Sequence, residues 1–444
     1  MRWLWGFLLG IQVSLLGQEP HLLIEDQLDN PLGCKVSVCV RDATSYQKIE
    51  IKAIAIDKQG EVWTSQAEWL VEAHEEICLK EKAPLPGSSY EGVDGMGLFW
   101  SMLPSSKDPS RGFRCKDDLF QVHLELYADG RYIESKKLNF YQKMPSVQVI
   151  DVHEEGLVGK LMIPFPKAPV IIVLGGSNGG IPENRAKVLA SHGFATLALG
   201  YFGKEGLPER LERIPLEYFT KAIEWLRLRE DIDASRVGIY GVSRGAELSL
   251  LLGSLFPSDI QAIVAALPSS VVNPGLGSTP VDAWVYQDRS IKPFAPVPQV
   301  ISMDTEEGSS QEKPLRVIYT FLEGMKNLQE YELAAIEVEK IACPVLVISG
   351  GDDQMWPSFL YAKQIFQRMR DHGRLCQHLH YPKAGHGIGI PYFPLEGPVC
   401  YHPVGKKWFS LGGSREEDSQ ASADSWEQIL TFFYENLTCH DCLN

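Results

Sequence analysis

The feature that most constrains the fold of this chain is the pentapeptide Gly-Val-Ser-Arg-Gly at residues 241–245. It follows a short apolar run at 237–240 and precedes a helical pattern at 246–256. A strand, a Gly-flanked turn and a helix in this order are the context in which G-x-S-x-G forms a nucleophile elbow. The turn holds its serine hydroxyl at the top of a parallel sheet, so the sequence predicts an α/β-hydrolase fold with Ser243 as nucleophile.

A second match to the same pattern, Gly-Gly-Ser-Asn-Gly at 175–179, also follows an apolar run. An elbow needs an earlier strand whose loop donates an N–H group to the oxyanion. Ser243 has such a strand upstream, whereas Ser177 has only a hairpin-like stretch before it. We therefore predict an oxyanion hole formed by the backbone N–H groups of Arg244, Gly176 and Ser177. A nucleophilic Ser177, or an ordinary Gly-rich turn at either segment, remains as the alternative.

The chain divides into two regions with different periodicity. Residues 146–440 alternate between apolar strand-length runs and helical patterns, which predicts a parallel sheet covered on both faces, with a last helix over about 422–437. Residues 22–141 contain short alternating runs and an Asp-Gly hairpin signal, which predicts a β-sandwich. The alternation fails at 269–341, where we expect a lid-like insertion after the sixth strand; the alternative for parts such as 304–312 is a disordered surface loop.

A triad acid should follow the nucleophile at the carboxyl end of a later strand. Gly-Gly-Asp-Asp at 350–353 comes directly after the predicted strand 345–348. We predict Asp353 as the acid, because it lies three residues after Gly350, and keep the adjacent Asp352 as the alternative.

The base should follow the acid in the chain. Of the 11 histidines, only His386 lies after the acid in a Gly-flanked loop that follows a short predicted strand, 377–381. His386 would take the proton of Ser243 as general base, and Asp353 would hold the imidazole tautomer. These residue types in this order indicate acyl transfer through an acyl-enzyme.

Charge and composition narrow the possible partners and compartments. The formal net charge of −15 argues against non-specific nucleic-acid binding. The apolar residues 1–17 predict either a secretory signal peptide or an N-terminal extension, and no stable membrane span is expected. The nine scattered cysteines favour reduced thiols over a disulfide framework, and we predict no metal and no cofactor.

Several further segments carry a resemblance to a known family, and Pro-Tyr-Phe-Pro at 391–394 and Met-Gly-Leu-Phe-Trp at 96–100 are far more specific than the elbow. The segments that carry it are the elbow extended to Glu247, Gly-Gly-Asp-Asp-Gln-Met-Trp at 350–356, Gly-His at 385–386 leading to Pro-Tyr-Phe-Pro at 391–394, Gly-Met-Gly-Leu-Phe-Trp at 95–100, and Gly-Gly at 412–413 with Ala423 and Trp426. With them the chain resembles, over about 25–437, the acyl-coenzyme A thioesterases related to bile-acid-CoA:amino-acid N-acyltransferase. The resemblance implies an N-terminal immunoglobulin-like β-sandwich, a C-terminal α/β-hydrolase domain and hydrolysis of fatty acyl-CoA.

The resemblance also frames the alternatives. Its N-acyltransferase branch has a cysteine at the elbow, so Ser243 favours hydrolysis to free fatty acid and coenzyme A. The other interpretations are transfer of the acyl group to an amino acid, a carboxylesterase activity on other acyl esters, and a non-enzymatic binding protein. The resemblance implies an intracellular location, whereas a signal peptide at 1–17 would imply a secretory or periplasmic one. The sequence leaves acyl chain length and oligomeric state open.

Overall fold

The computed structural model of the chain describes residues 19–25, 29–72, 76–276, 281–296 and 309–438. The segment 1–17, with its predicted signal peptide, lies outside the described residues, as do Cys439 and Cys442 and most of 304–312. Among the helices in the described ranges, none combines the length and apolar character that crossing a membrane requires.

The N-terminal region is built almost entirely from strands. The strands are β1 (His21–Ile24), β2 (Asp29–Pro31), β3 (Val38–Arg41), β4 (Lys48–Ile56), β5 (Val62–Leu70), β6 (Ile77–Cys78), β7 (Leu103–Pro104), β8 (Leu119–Ala128) and β9 (Arg131–Tyr141), with one short helix, α1 (Gly97–Trp100). Within the described residues they form one sheet of order β1-β3-β6 and another of order β2-β9-β8-β4-β5-β7.

Alternation of side chains explains why these segments form a two-sided sheet. Along β4, buried and more exposed residues alternate throughout, which is the period of a strand with one face on a core. The β8–β9 hairpin turns at Asp129 and Gly130, whose φ angles of 50° and 78° are both left-handed. A two-residue hairpin turn of this kind favours Asp-Gly, so the local sequence explains the turn.

The C-terminal region alternates strands with helices. Its strands are β10 (Gln148–Val152), β11 (Val158–Ile163), β12 (Ala168–Leu174), β13 (Ala195–Gly200), β14 (Ile214–Pro215), β15 (Ile232–Val242), β16 (Ala262–Ala266), β17 (Trp284–Tyr286), β18 (Arg289–Ser290), β19 (Val345–Gly350), β20 (Cys376–Tyr381), β21 (Val399–His402) and β22 (Lys407–Ser410). Its helices are α2 (Glu183–Ser191), α3 (Glu217–Arg227), α4 (Arg244–Leu255), α5 (Ile318–Gly324), α6 (Leu328–Leu333), α7 (Ser358–Asp371) and α8 (Arg415–Leu437), with a 3₁₀ turn at Val338–Lys340.

Eight of these strands form one sheet of order β10-β11-β13-β12-β15-β16-β19-β20 within the described residues. The β10–β11 and β11–β13 pairs are antiparallel, and all later pairs are parallel. The strands β13, β16 and β19 are buried along their whole length, as a parallel sheet covered by helices on both faces requires. This strand order is that of an α/β-hydrolase, and the predicted C-terminal fold is confirmed.

Aromatic side chains pack between the two regions. Phe393 contacts Phe113 and Phe120, with ring centroids 5.6 and 5.3 Å apart. The backbone N–H of Phe113 donates to the carbonyl of Pro394 at 3.0 Å. The segment Pro-Tyr-Phe-Pro at 391–394, which follows His386 in the chain, therefore packs into the N-terminal core.

Two expectations from the sequence are wrong. Cys39 and Cys78 form a disulfide rather than remaining thiols, because strands β3 and β6 pair with these two residues directly opposite each other. The last helix begins at Arg415 rather than near residue 422, because the Ser414 side chain accepts a hydrogen bond from the N–H of Glu417 and caps an earlier first turn. The free cysteines among the described residues include Cys115, Cys343, Cys376 and Cys400.

Candidate active site

Ser243 lies at the sharp turn between β15 and α4. Its φ of 57° and ψ of −119° are unusual for a residue with a side chain, and strain of this kind is typical of a nucleophile elbow. The N–H of Ser243 donates to the carbonyl of Ala266 on the neighbouring strand β16 at 2.9 Å. The turn therefore holds the hydroxyl above the sheet at the N-terminus of α4.

The two glycines of the elbow are required by close contacts. A Cβ atom on Gly241 would overlap the carbonyl of Gly245, and one on Gly245 would overlap the carbonyls of Leu174 and Gly175. The carbonyls of Leu174 and Gly175 lie at the end of β12 and in the loop after it. The missing side chains therefore let the elbow lie directly against the predicted oxyanion loop.

His386 is placed by the loop that follows β20. Its backbone N–H donates to the carbonyl of Leu411 at 2.8 Å. Its Nδ1 lies 2.7 Å from Asp353 Oδ2, and its Nε2 lies 3.0 Å from Ser243 Oγ. Because a carboxylate only accepts hydrogen bonds, Nδ1 carries the proton and Nε2 accepts from the serine hydroxyl.

Asp353 is buried and fully bonded, whereas Asp352 is exposed. The second oxygen of Asp353 accepts hydrogen bonds from the N–H groups of Met355 and Trp356, at 2.9 and 3.2 Å. Asp352 instead accepts from the Gln354 side chain at 2.6 Å and from the N–H of Gly413 at 2.9 Å. The structure thus brings Asp353, rather than the alternative Asp352, against His386.

Two of the three residues predicted as oxyanion donors, Gly176 and Arg244, lie next to Ser243. Gly176 lies so close that a Cβ atom on it would be 3.3 Å from Ser243 Cβ. The carbonyl of Gly175 accepts a hydrogen bond from the Tyr201 hydroxyl at 2.6 Å, which fixes the start of this loop. Arg244 is the first residue of α4, so its N–H points out of the helix N-terminus.

A buried charged cluster holds the Arg244 side chain under the elbow. The Arg244 guanidinium lies 3.1 Å from a Glu247 oxygen and donates to the carbonyl of Asn273 at 3.1 Å. Glu247 also accepts hydrogen bonds from Asn273 and Trp284, at 2.8 and 2.9 Å. Burial raises the pKa of Glu247, and these hydrogen bonds tie α4 to the insertion that contains Asn273.

Ser177 is not bonded to the other predicted site residues. Its Oγ lies 2.8 Å from Nε2 of His402, at the end of β21. The backbone N–H of Gly405 donates to Nδ1 of the same ring at 2.9 Å. Burial lowers the pKa of His402, so the ring is neutral at neutral pH. The sequence reasoning missed His402, since it precedes a short hairpin turn and follows no buried strand.

Asp418 on α8 is a further acid behind the His386 loop that the sequence did not indicate. One of its oxygens accepts the N–H of Gly385 at 2.7 Å, and the other has no hydrogen-bond partner among the described residues. Burial raises the pKa of Asp418 to about 7, and the neighbouring Asp353 adds to that rise. The hydrogen bond from Gly385 therefore ties the loop that carries His386 to α8.

The described part of the insertion lies beside the acid loop. Phe321 of α5 contacts Trp356, with ring centroids 6.1 Å apart, and Trp356 contacts the His386 ring at 5.9 Å. The N–H of Ile318 donates to the carbonyl of Gln354 at 3.1 Å.

Potential metal ligands come together in the N-terminal region. Among the described residues, the group whose ligand atoms lie close enough to share an ion is Cys39, Glu76 and Cys78. The two sulfurs of this group are joined in the disulfide, so neither is a thiolate.

The sheet order and the elbow define the molecule as an α/β-hydrolase with a serine, a histidine and an aspartate joined by hydrogen bonds. Two family models match the chain. The model described as "BAAT / Acyl-CoA thioester hydrolase C terminal" matches residues 214–439, and the one described as "Acyl-CoA thioester hydrolase/BAAT N-terminal region" matches residues 34–154. The chain belongs to the acyl-CoA thioester hydrolase/BAAT family, and the resemblance seen in the sequence is confirmed.

Relatives named as acyl-coenzyme A thioesterases match nearly the whole chain. Acyl-coenzyme A thioesterase 1 of Rattus norvegicus is 31% identical over 417 residues, covering 92% of this chain and 94% of the relative. Acyl-coenzyme A thioesterase 6 of Mus musculus is 32% identical over 422 residues, with the same two coverages. A solved dienelactone hydrolase from Anabaena variabilis is 16% identical with a TM-score of 0.37, over 66% of this chain and 100% of that chain.

Proposed function

We propose that this chain hydrolyses acyl-CoA thioesters to a free carboxylic acid and coenzyme A through an acyl-enzyme on Ser243. The observation that carries the proposal is the hydrogen-bond chain from Ser243 through His386 to Asp353 in a member of this family. The relatives named as acyl-coenzyme A thioesterases support the substrate class. The enzyme is thus a thioester hydrolase with a serine nucleophile.

The geometry supports acylation with every proton accounted for. His386 Nε2 takes the hydroxyl proton as Ser243 Oγ attacks the thioester carbonyl, and Asp353 stabilises the imidazolium that forms. The backbone N–H groups of Arg244 and of the loop at Gly176 and Ser177 are our proposed donors to the oxyanion. Collapse of the tetrahedral intermediate breaks the carbon–sulfur bond and releases coenzyme A as a thiol, which receives the proton from His386.

Deacylation repeats the same steps with water. His386 takes a proton from water as the water oxygen attacks the ester carbonyl of the acyl-enzyme. The intermediate then breaks the bond to Ser243 Oγ, which recovers its proton, and the free acid leaves. An oxygen ester at Ser243 is less reactive toward amines than a thioester would be, which supports hydrolysis over transfer to an amino acid.

We also propose roles for the two regions outside the sheet. The two N-terminal sheets share one core cluster that includes Val40 of β3 and Trp63 of β5, which supports an immunoglobulin-like β-sandwich over about 22–141. The catalytic domain would cover about 146–440. The contact of Phe321 with Trp356 supports a lid role for the insertion at 269–341.

The proposal is tested by substrate choice. The purified protein is assayed against a series of saturated acyl-CoAs by release of the CoA thiol, and against p-nitrophenyl esters of the same acids. Products are identified by mass spectrometry with and without glycine or taurine. We expect thiol release with free acid as the product in both cases. Activity on the p-nitrophenyl esters alone would make the chain a carboxylesterase, and an acyl-amino acid product would make it a transferase.

A further inference from the structure

The chain contains two serine–histidine hydrogen bonds at its two G-x-S-x-G segments. Ser243 Oγ lies 3.0 Å from Nε2 of His386, and Ser177 Oγ lies 2.8 Å from Nε2 of His402. In both pairs the same ring nitrogen meets the serine, and in both the histidine comes from a loop or hairpin late in the chain. Distance alone does not distinguish the two serines.

The partner of the other ring nitrogen does distinguish them. His386 Nδ1 faces the Asp353 carboxylate, which can only accept, so its Nε2 is left unprotonated and acts as a base. His402 Nδ1 accepts the backbone N–H of Gly405 at 2.9 Å, so its proton is on Nε2. His402 therefore donates a hydrogen bond to Ser177 Oγ and has no basic nitrogen directed at that hydroxyl.

The second pair connects two parts of the site. Ser177 directly follows Gly176, where an added Cβ atom would lie 3.3 Å from Ser243 Cβ. His402 is 7% exposed and belongs to the β21–β22 hairpin, which is bonded to the insertion where the N–H of Ser410 donates to the carbonyl of Leu315. The bond from His402 thus fixes the oxyanion loop to an element that is far from it in sequence.

We propose that His402 is a positioning residue that acts through the Ser177 side chain to hold the oxyanion loop against Ser243. This inference rests on the function proposed above, and it assigns the second G-x-S-x-G segment a role other than nucleophilic attack. Backbone donors contribute to rate only when they are fixed where negative charge develops. Loss of the pair therefore lowers kcat and the reactivity of Ser243, while KM for the substrate changes little.

The test uses single and double variants at the two positions in the full-length protein. We expect Ser177→Ala and His402→Leu each to lower kcat about tenfold, and the double variant to lose no more than either single one, because the two side chains act as one unit. His402→Gln keeps an N–H donor near the position of Nε2, and we expect it to retain kcat within about threefold of the wild type. Each variant is also measured for KM and for thermal midpoint.

A matched control comes from another serine–histidine bond. His378 on β20 lies 2.8 Å from Ser349 Oγ through the same ring nitrogen, at the edge of the sheet. We expect His378→Leu to leave kcat within twofold of the wild type. If His402→Leu does not fold, Ser177→Ala, which removes a single half-buried oxygen, carries the test with the Gln variant.

A second readout keeps this inference separate from the choice of substrate. The rate at which a fluorophosphonate probe labels Ser243 depends on the oxyanion hole but requires no acyl-CoA. We expect Ser177→Ala and His402→Leu to slow labelling about tenfold, even if the wild type releases no CoA thiol and the proposed function fails. Wild-type labelling rates in both variants, or fully additive losses in the double variant, would overturn the inference.

Discussion

The two G-x-S-x-G segments differ in what surrounds the serine rather than in their sequence pattern. Both follow a strand of the same sheet, β12 for Ser177 and β15 for Ser243, and both serines are bonded to a histidine. Ser243, however, has a left-handed φ of 57° and a histidine that is oriented by a buried carboxylate. Ser177 has a histidine that is oriented by a backbone N–H group.

The hydrogen-bond partner of Nδ1, the ring nitrogen that does not contact the serine, determines the role of each serine. A carboxylate holds the proton on Nδ1 and leaves a basic Nε2 for the hydroxyl. A backbone N–H that donates to Nδ1 requires that nitrogen to be unprotonated. The ring proton is then on Nε2, which donates to the serine. The same residue types at the same distances therefore yield a nucleophile in one segment and a structural hydrogen bond in the other.

The largest expected effect separates the two serines. Ser243→Ala should lower kcat for acyl-CoA on the order of 10⁶-fold, the scale seen when a triad nucleophile is removed. Folding should be retained, because the hydroxyl is not packed in the core. The matched variant Ser177→Ala should keep about a tenth of the wild-type activity, which is the loss argued above. Substantial activity in Ser243→Ala, with loss in Ser177→Ala, would reverse the assignment.

The next effect concerns the group that orients the imidazole. Asp353→Asn should lower kcat by about 10⁴-fold, because an amide at this position can donate to Nδ1 and so favours the wrong tautomer. Asp352→Asn is the adjacent control and should stay within about tenfold of the wild type, since Asp352 is exposed and bonds to Gln354 and Gly413. Steady-state kinetics on both variants test this, and the opposite ranking would show that the carboxylates exchange roles in solution.

The third prediction concerns stability and Asp418. Its folded-state pKa of about 7 lies above the ordinary value of 3.8, so the folded protein binds more protons than the unfolded chain in that interval. Stability should therefore fall as pH rises from about 4 to about 8, on the order of 4 kcal/mol in total. Asp418→Asn should remove this part of the pH dependence.

Chemical denaturation at several pH values measures this pH dependence of the free energy of unfolding directly. Asp424→Asn is the control, because Asp424 is an exposed carboxylate on the same helix. A pH profile in Asp418→Asn that matches the wild type would show that Asp418 is ionised throughout. The pH dependence of kcat, measured in the wild type and in Asp418→Asn, reports whether the proton on Asp418 supports the loop that carries His386.

The smallest effect concerns the product rather than the rate. Ser243→Cys should raise the share of acyl-glycine or acyl-taurine among the products, because a thioester acyl-enzyme reacts more readily with amines than an oxygen ester does. Mass spectrometry of reactions with acyl-CoA and either amine gives this ratio. An active Cys variant that forms only free acid would assign acceptor choice to the pocket, and the insertion at 269–341 would then be examined first.

Local sequence was sufficient for the features that local geometry determines. The glycines at 241 and 245 and the order of Ser243, Asp353 and His386 follow from the backbone and chemistry of an elbow site. The Asp129-Gly130 turn likewise depends on two adjacent residues with left-handed φ angles. Each of these depends on a few neighbouring residues, so their patterns could be recognised without the fold.

Contacts between distant segments could not be predicted in the same way. The Cys39–Cys78 disulfide joins residues 39 positions apart, and only the register of β3 against β6 brings them together. His402 reaches Ser177 across 225 positions, through a hairpin without a strong sequence pattern. The start of α8 at Arg415, by contrast, could have been predicted, because Ser414 followed by Glu417 is a capping signal in the sequence.

The most direct test of the central claim is to identify the acylated residue. The protein is mixed with acyl-CoA, quenched rapidly in acid, digested and analysed by peptide mass spectrometry. The account predicts an acyl ester on the peptide that contains Ser243, none on the peptide that contains Ser177, and no acyl adduct in Ser243→Ala. An acyl group on Ser177, or undiminished CoA release by Ser243→Ala, would contradict it.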